Sequence, residues 1–220
     1  MESVKRRHYD ASRRREQARL TREAIIAAAR SRFLDDGYAT TTIAVIATDA
    51  GASADTIYKS FGGKAGLLRA MCEDALTGAG PVPAERRSDV MQAAESDPVR
   101  MLRGLGMLTT EVSPRIAPLL LLLSAAAETD AALAQLRADF DAARLARMTQ
   151  VARKLTGKTQ LRPGLSIRTA AEILWAYSSP ELYGLLVVGR GWSAARFGTF
   201  VGEALVDALL PRDIGAGSPG

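Results

Sequence analysis

The stretch from Thr41 to Leu68 holds the residues whose types and spacing can do chemistry. Ser53 is a natural N-cap for a short helix running to about Phe61. Once Ile57 is turned inward, Ala54, Asp55, Thr56, Tyr58, Lys59 and Ser60 are not needed for packing. Hydroxyls, a phenol and a cation on one short helix can bond phosphate oxygens and base edges. Ahead of it, Thr41-Thr42 caps a short apolar helix from Ile43 to about Asp49, with Ile43, Ile46 and Ala47 inward. Gly51 occupies the turn between the two, where a residue without a Cβ can take a positive φ. Two short helices around a tight turn suit a helix-turn-helix, although any three-helix domain can contain a glycine turn.

Catalytic chemistry has little to work with, and neither a catalytic residue, a cofactor nor a metal is expected. His8, the single histidine, lies in a basic N-terminal segment, and Cys72, the single cysteine, has no histidine near it in sequence. No glycine-rich phosphate loop or metal-ligand spacing occurs. Glu128, Asp130, Asp139 and Asp141 read as a solvated helix face. One cysteine cannot form an internal disulfide, and no secretory segment is evident, so the cytoplasm is expected. The apolar run Ile116 to Ala127 is interrupted by Pro118 and Ser124 and falls short of the roughly 20 residues a membrane span needs.

The charge is uneven. Residues 1–32 hold ten Lys/Arg against four Asp/Glu, a net of +6 in a chain of +5, so the remainder carries −1. A basic end on a near-neutral body is the footprint of a protein that touches a polyanion, or simply a solubilising tail. Residues 1–18 read as a flexible basic arm, whose Arg13, Arg14 and Arg15 could enter a narrow minor groove. The first helix is expected from Thr21, carrying Ile25, Ala28, Ala29 and Phe33 inward and ending at Gly37. Gly62-Gly63 precedes a helix from Lys64 with Leu67, Leu68 and Met71 inside, and Thr77–Asp97 reads as a loop-rich junction. Longer helices follow at about 98–111, 115–127, 130–156, 166–190 and 193–210, with no strand alternation. The expected fold is all-α, about nine helices: a three-helix head at 19–78 (helix-turn-helix about 42–61), a helical body at 79–211, and a disordered tail at 212–220.

The head resembles the tetracycline-repressor (TetR) family of bacterial regulators. The resemblance rests on Thr42-Ile43, Ile46-Ala47, Ala50-Gly51-Ala52-Ser53, Thr56-Ile57-Tyr58, Phe61, Lys64 and Leu67-Leu68, with Phe33-Leu34 and Gly37-Tyr38 upstream. It implies a DNA-binding regulator of transcription, most commonly a repressor, acting on double-stranded DNA at a palindromic operator. Thr42, Tyr58 and Lys64 are then phosphate contacts, with Thr41 a weaker candidate. Ser53, Ala54, Asp55 and Lys59 face base edges, and Thr56 either. Tyr58 as a core tyrosine is the alternative. Asp55 departs from the small residue usual in the family, and its carboxylate would repel phosphates unless it accepts from a cytosine amine or pairs with Lys59. A helical ligand-binding module whose head no longer binds DNA is the competing reading.

The body resembles a subtype of the same family through Leu161-Arg162-Pro163-Gly164-Leu165, Leu174-Trp175-Ala176, Ser179-Pro180-Glu181-Leu182-Tyr183 and Arg190-Gly191-Trp192-Ser193. The resemblance implies a homodimer joined through the last two long helices, which assigns the stripe Phe197, Phe200, Val201, Ala204, Leu205 and Ala208 to the interface. The alternative is a stripe folded on its own core. It also implies an unidentified small-molecule effector inside the body that releases the operator. Met107, Leu120, Leu123, Trp175, Tyr177 and Tyr183 are the candidate lining, with Glu111 or Glu128 as a polar anchor.

Overall fold

The computed structural model describes residues 2–78, 80 and 82–211; the expected tail at 212–220 lies outside them. Every element among the described residues is helical.

Helix α1 runs unbroken over Glu2–Asp35, although a start at Thr21 was expected. Residues 11–20 contain neither Gly nor Pro and are mostly good helix formers. Arg19 also bridges Glu16 and Glu23 at 2.5 Å, one turn away on either side. The basic segment is therefore the start of the first helix. The chain leaves α1 through Gly37 at φ 89°, and α2 (Ile43–Asp49) begins at Thr42, which caps Val45 N at 3.3 Å. Gly51 takes φ 61° in the turn, and Ala52 N donates to Ala47 O at 2.9 Å. Ser53 caps α3 (Ala54–Phe61) by accepting from Thr56 N at 3.1 Å, and left-handed Gly62 closes it before α4 (Lys64–Thr77).

The stretch expected to be a loop contains α5 (Ala84–Ala94). Its buried face is Ala84, Ser88 and Gln92, with Gln92 Nε2 donating to Ser88 Oγ at 2.7 Å. A polar stripe turned inward gives no apolar period, which is why the sequence hides this helix. Helix α6 (Pro98–Ala127) carries Pro114 and Pro118 in its interior, although a break was expected at Pro114. Each proline costs about 3 kcal/mol, but Met101, Leu102 and Leu105 before them and Leu119 and Leu123 after are all buried. Burial at about 1.5–3 kcal/mol per large side chain outweighs that penalty. Helix α7 is Ala131–Thr156. The expected helix 166–190 divides into α8 (Ile167–Tyr177) and α9 (Pro180–Tyr183), the latter running into a π-helical turn at Gly184–Val188. Ser179 caps α9 and Pro180 stands at its first position, so the division has ordinary start chemistry. The last helix is α10 (Ala194–Leu209).

Two cores result. Ile25, Phe33, Ile46, Ile57, Leu67 and Leu68 form the head core, which continues into the body through Ile116, Leu119 and Leu123 of α6 and Leu133 and Leu136 of α7. The second core joins Met101, Leu102 and Leu105 of α6 and Val151 and Leu155 of α7 to α8, α9 and α10. Helices α6 and α7 thus belong to both. Where α6 crosses α10 the backbones are in direct contact: a Cβ on Gly106 would lie 2.4 Å from Gly198 O and 2.5 Å from Gly202 N.

Candidate DNA-binding head and effector cavity

The α2–turn–α3 unit is held by contacts on its inner side. Arg32 of α1 donates to both carboxylate oxygens of Asp49 at the end of α2, at 2.5 and 3.2 Å, and holds that carboxyl below its usual range. Arg22 lies over the Phe61 ring at 4.7 Å. Ile57 is fully buried, which turns the opposite face of α3 outward. Ser53, Asp55, Tyr58 and Lys59 are exposed there, while Ala54 and Thr56 are half-buried at its edge. Tyr58 is 55% exposed, so it is not a core tyrosine. Thr42 and Ser53 are both exposed residues, and Ser53 Oγ, besides capping α3, lies 2.8 Å from Thr56 Oγ1. Among the described residues Asp55 and Lys59 have no ion-pair partner, so the pairing considered for Asp55 does not form in the free protein.

Two expected phosphate contacts are engaged inside the protein. Thr41 is 4% exposed and donates to Arg32 O at 3.1 Å and Gly37 O at 2.8 Å, fastening the end of α1. Lys64 Nζ donates to Tyr38 O at 2.6 Å and sits over the Tyr38 ring at 4.3 Å. Burial draws that ammonium below its ordinary value, partly offset by Asp130. Arg13, Arg14 and Arg15 are exposed on α1 rather than on a loose arm. A helix about 10 Å across cannot enter a minor groove about 6 Å wide, so direct insertion would require α1 to unwind.

Behind the head, where the two cores meet, is a cavity of about 480 Å³, within the usual size for small-molecule sites. Leu76 and Thr77 of α4 form one wall. Leu105, Val112, Ile116 and Leu120 of α6, Phe140, Met148 and Val151 of α7, Leu174 of α8, and Val201 and Leu205 of α10 supply most of the rest. Of the residues expected to line it, Leu120 does. Met107 is 54% exposed on the outside of α6, Leu123 is fully buried in the head core, and Glu128 is an exposed residue at the end of α6. Trp175 packs under Arg144, Tyr177 against Phe200 and Tyr183 against Phe197, away from the cavity lining. Glu111 is bound to Arg87 and stands beside Gly78 near the end of α4. Sequence reasoning missed Phe140, Arg144, Arg147, Met148 and Val151. Their spacing on one face of α7 was the available signal.

The stripe on α10 also divides. Phe197, Val201 and Leu205 are at most 3% exposed in the protomer's own core, while Phe200, Ala204 and Ala208 stay at least partly open. Leu185 and Val188 on the π-helical turn are about two-thirds exposed, and Trp192 packs edge-on to Phe200 at 5.6 Å. Among the described residues no group of His, Cys, Asp or Glu is placed to hold a metal, and no helix is long and apolar enough to cross a membrane.

A crossing helix, a glycine turn and an exposed polar helix, presented by a helical body, define a DNA-binding regulator of transcription. Residues 25–71, which form the head, match the model of bacterial regulatory proteins of the tetR family. The fold is similar to that of SmeT, the repressor of the Stenotrophomonas maltophilia multidrug efflux pump SmeDEF. Its complex with triclosan has 24% identity and a TM-score of 0.69, with 88% of this chain and 93% of that one covered. NalD, the secondary repressor of the MexAB-OprM multidrug efflux pump in Pseudomonas aeruginosa, is similar at 24% identity and a TM-score of 0.67, with 90% and 99% covered. No curated protein sequence matches the chain.

Proposed function

We propose that this regulator is a homodimeric repressor that binds a palindromic operator and is released from it by a small organic effector. The observation that carries the reading is the position of the cavity. Helix α4 contributes Leu76 and Thr77 to its wall, and at its other end Lys64 fastens the loop between α1 and α2. A ligand that displaces α4 would move the α2–α3 unit with it and change the spacing of two recognition helices, which must match successive major grooves. SmeT and NalD, both repressors, support the sign of regulation, and the SmeT complex with triclosan supports a small-molecule effector.

In this reading Tyr58 and Thr42 bond phosphates, Ser53, Ala54, Asp55 and Lys59 face bases, and Thr56 serves either. Thr41 and Lys64 position the unit from behind. The exposed apolar set Leu185, Val188 and Phe200, continued by Ala204 and Ala208, is the surface a second copy would cover. The test is selection of duplexes from a random library by the purified protein, with sedimentation analysis of the bound species. A palindromic site bound by two chains upholds the proposal. No enrichment at low salt transfers the function to a head that does not read DNA.

A further inference from the structure

The cavity wall is mainly apolar, and the two cations that line it stand on one side of α7. Arg144 and Arg147 lie three residues apart, on one helical face, and both line the cavity with side chains only 16% exposed. Arg144 stacks over Trp175 at 4.3 Å, donates Nη1 to Trp175 O at 2.6 Å and reaches Asp141 at 3.2 Å. Arg147 donates to Asp89 at 2.8 Å and to Glu85 O at 3.2 Å, with the Glu85 carboxylate 3.5 Å away. A guanidinium has five N–H donors, so each keeps some without a protein acceptor.

Of the lining carboxylates, Glu85 reaches Arg147 at 3.5 Å, and neither Glu73 nor Glu85 pairs with Arg144 among the described residues. Asp89 is shared with Lys154, and Asp141 with Arg137. The lining carboxylates, Glu73 and Glu85, are both exposed, the Glu85 side chain at 70%. Desolvation is the largest influence on Arg144 and draws it below its ordinary value, so Asp141 does not repay its burial. A cationic ligand would meet two half-buried guanidinium groups, and a neutral one would leave their donors unused. An anion answers both, and charge-assisted N–H···O bonds are the strong kind.

Resting on the effector-cavity reading above, we propose that the ligand is an amphipathic organic acid. Its carboxylate is held between Arg144 and Arg147, and its apolar body lies against Leu105, Val112, Ile116 and Phe140. The full chain is titrated calorimetrically with dodecanoate, dodecanol and dodecyltrimethylammonium, all below their micellar concentrations, and with an apolar fluorophore as a probe of the cavity. Dodecanoate is expected to bind at least about tenfold more tightly than dodecanol, and the ammonium more weakly than either. In R144Q/R147Q the preference for the acid disappears while dodecanol still binds, which also shows that the variant has folded. Equal affinity for acid and alcohol, tighter binding of the ammonium, or an unchanged preference in the double variant overturns the assignment of an acid. If none of the three binds and the fluorophore does not enter, the cavity reading itself fails, and the proposal with it.

Discussion

Replacing Gly106 by alanine tests the close approach of the α6 and α10 backbones. The added methyl would stand 2.4 Å from Gly198 O, 2.5 Å from Gly202 N and 2.6 Å from Gly202 Cα, all of them backbone atoms that no rotamer change can move aside. Carbon contacts are comfortable at about 3.5–4.0 Å, so α6 and α10 must part by about 1 Å. Overpacking of this kind costs about 1–3 kcal/mol, and the better helix propensity of alanine returns about 1 kcal/mol. Gly104 is the internal control. It is on the same helix, but its added methyl would meet only the flexible Met91 side chain, at 3.0 Å from Sδ, so the propensity gain is largely kept. The two variants should therefore differ by about 2 kcal/mol, or a thermal midpoint about 4–8 °C lower for Gly106→Ala than for Gly104→Ala. Thermal unfolding followed by circular dichroism, with urea unfolding as a second measure, decides the matter. Equal midpoints, or a Gly106 variant more stable than the Gly104 one, would refute the reasoning.

Tyr58→Ala is expected to weaken binding to all duplexes alike, whereas Lys59→Ala should lose about 1–3 kcal/mol of discrimination at one position in each half-site; equilibrium binding across a panel of single-base variants separates the two effects. Thr41→Val should lower stability by about 1 kcal/mol through its two lost carbonyl partners, with the affinity of the folded variant for DNA at fixed salt unchanged; a uniform loss of affinity across duplexes would make Thr41 a phosphate contact after all. Burial pushes the Cys72 thiol up to about 12, so it should resist a disulfide reagent at pH 8 until urea opens the head, and rapid labelling of native protein would refute its burial. The folded chain also keeps that proton where the unfolded chain releases it. The thiol's contribution is therefore complete below the ordinary value near 9 and declines as pH rises from there toward about 12, which urea unfolding at stepped pH measures and Cys72→Ala removes.

The head was legible because its signals are local. Thr42 and Ser53 cap the helices that follow them, Gly51 needs the left-handed region, and Ile43, Ile46 and Ile57 fall at helical spacing. Nothing as local marks the cavity, whose walls come from seven helices, α4 to α10, and use the same leucines and valines as the cores. Tyr183, expected in the lining, packs instead against Phe197 in the second core. The stripe on α10 was equally ambiguous, because an apolar face does not record whether its own chain or a second copy covers it. Phe197, Val201 and Leu205 turned out to face home. Pro114 gave a strong local stop signal that lost to burial on both sides.

Because α6 and α7 each run through both cores, neither core can be dismantled while the other stays whole. The chain should melt in one cooperative transition, and a cut near residue 78 would leave the head without the leucines of α6 and α7 that close its underside. The same sharing makes heat a reporter of occupancy. A ligand seated between the cores raises the midpoint of the recognition helix, which it never touches, together with that of the body, by mass action on a single folded state.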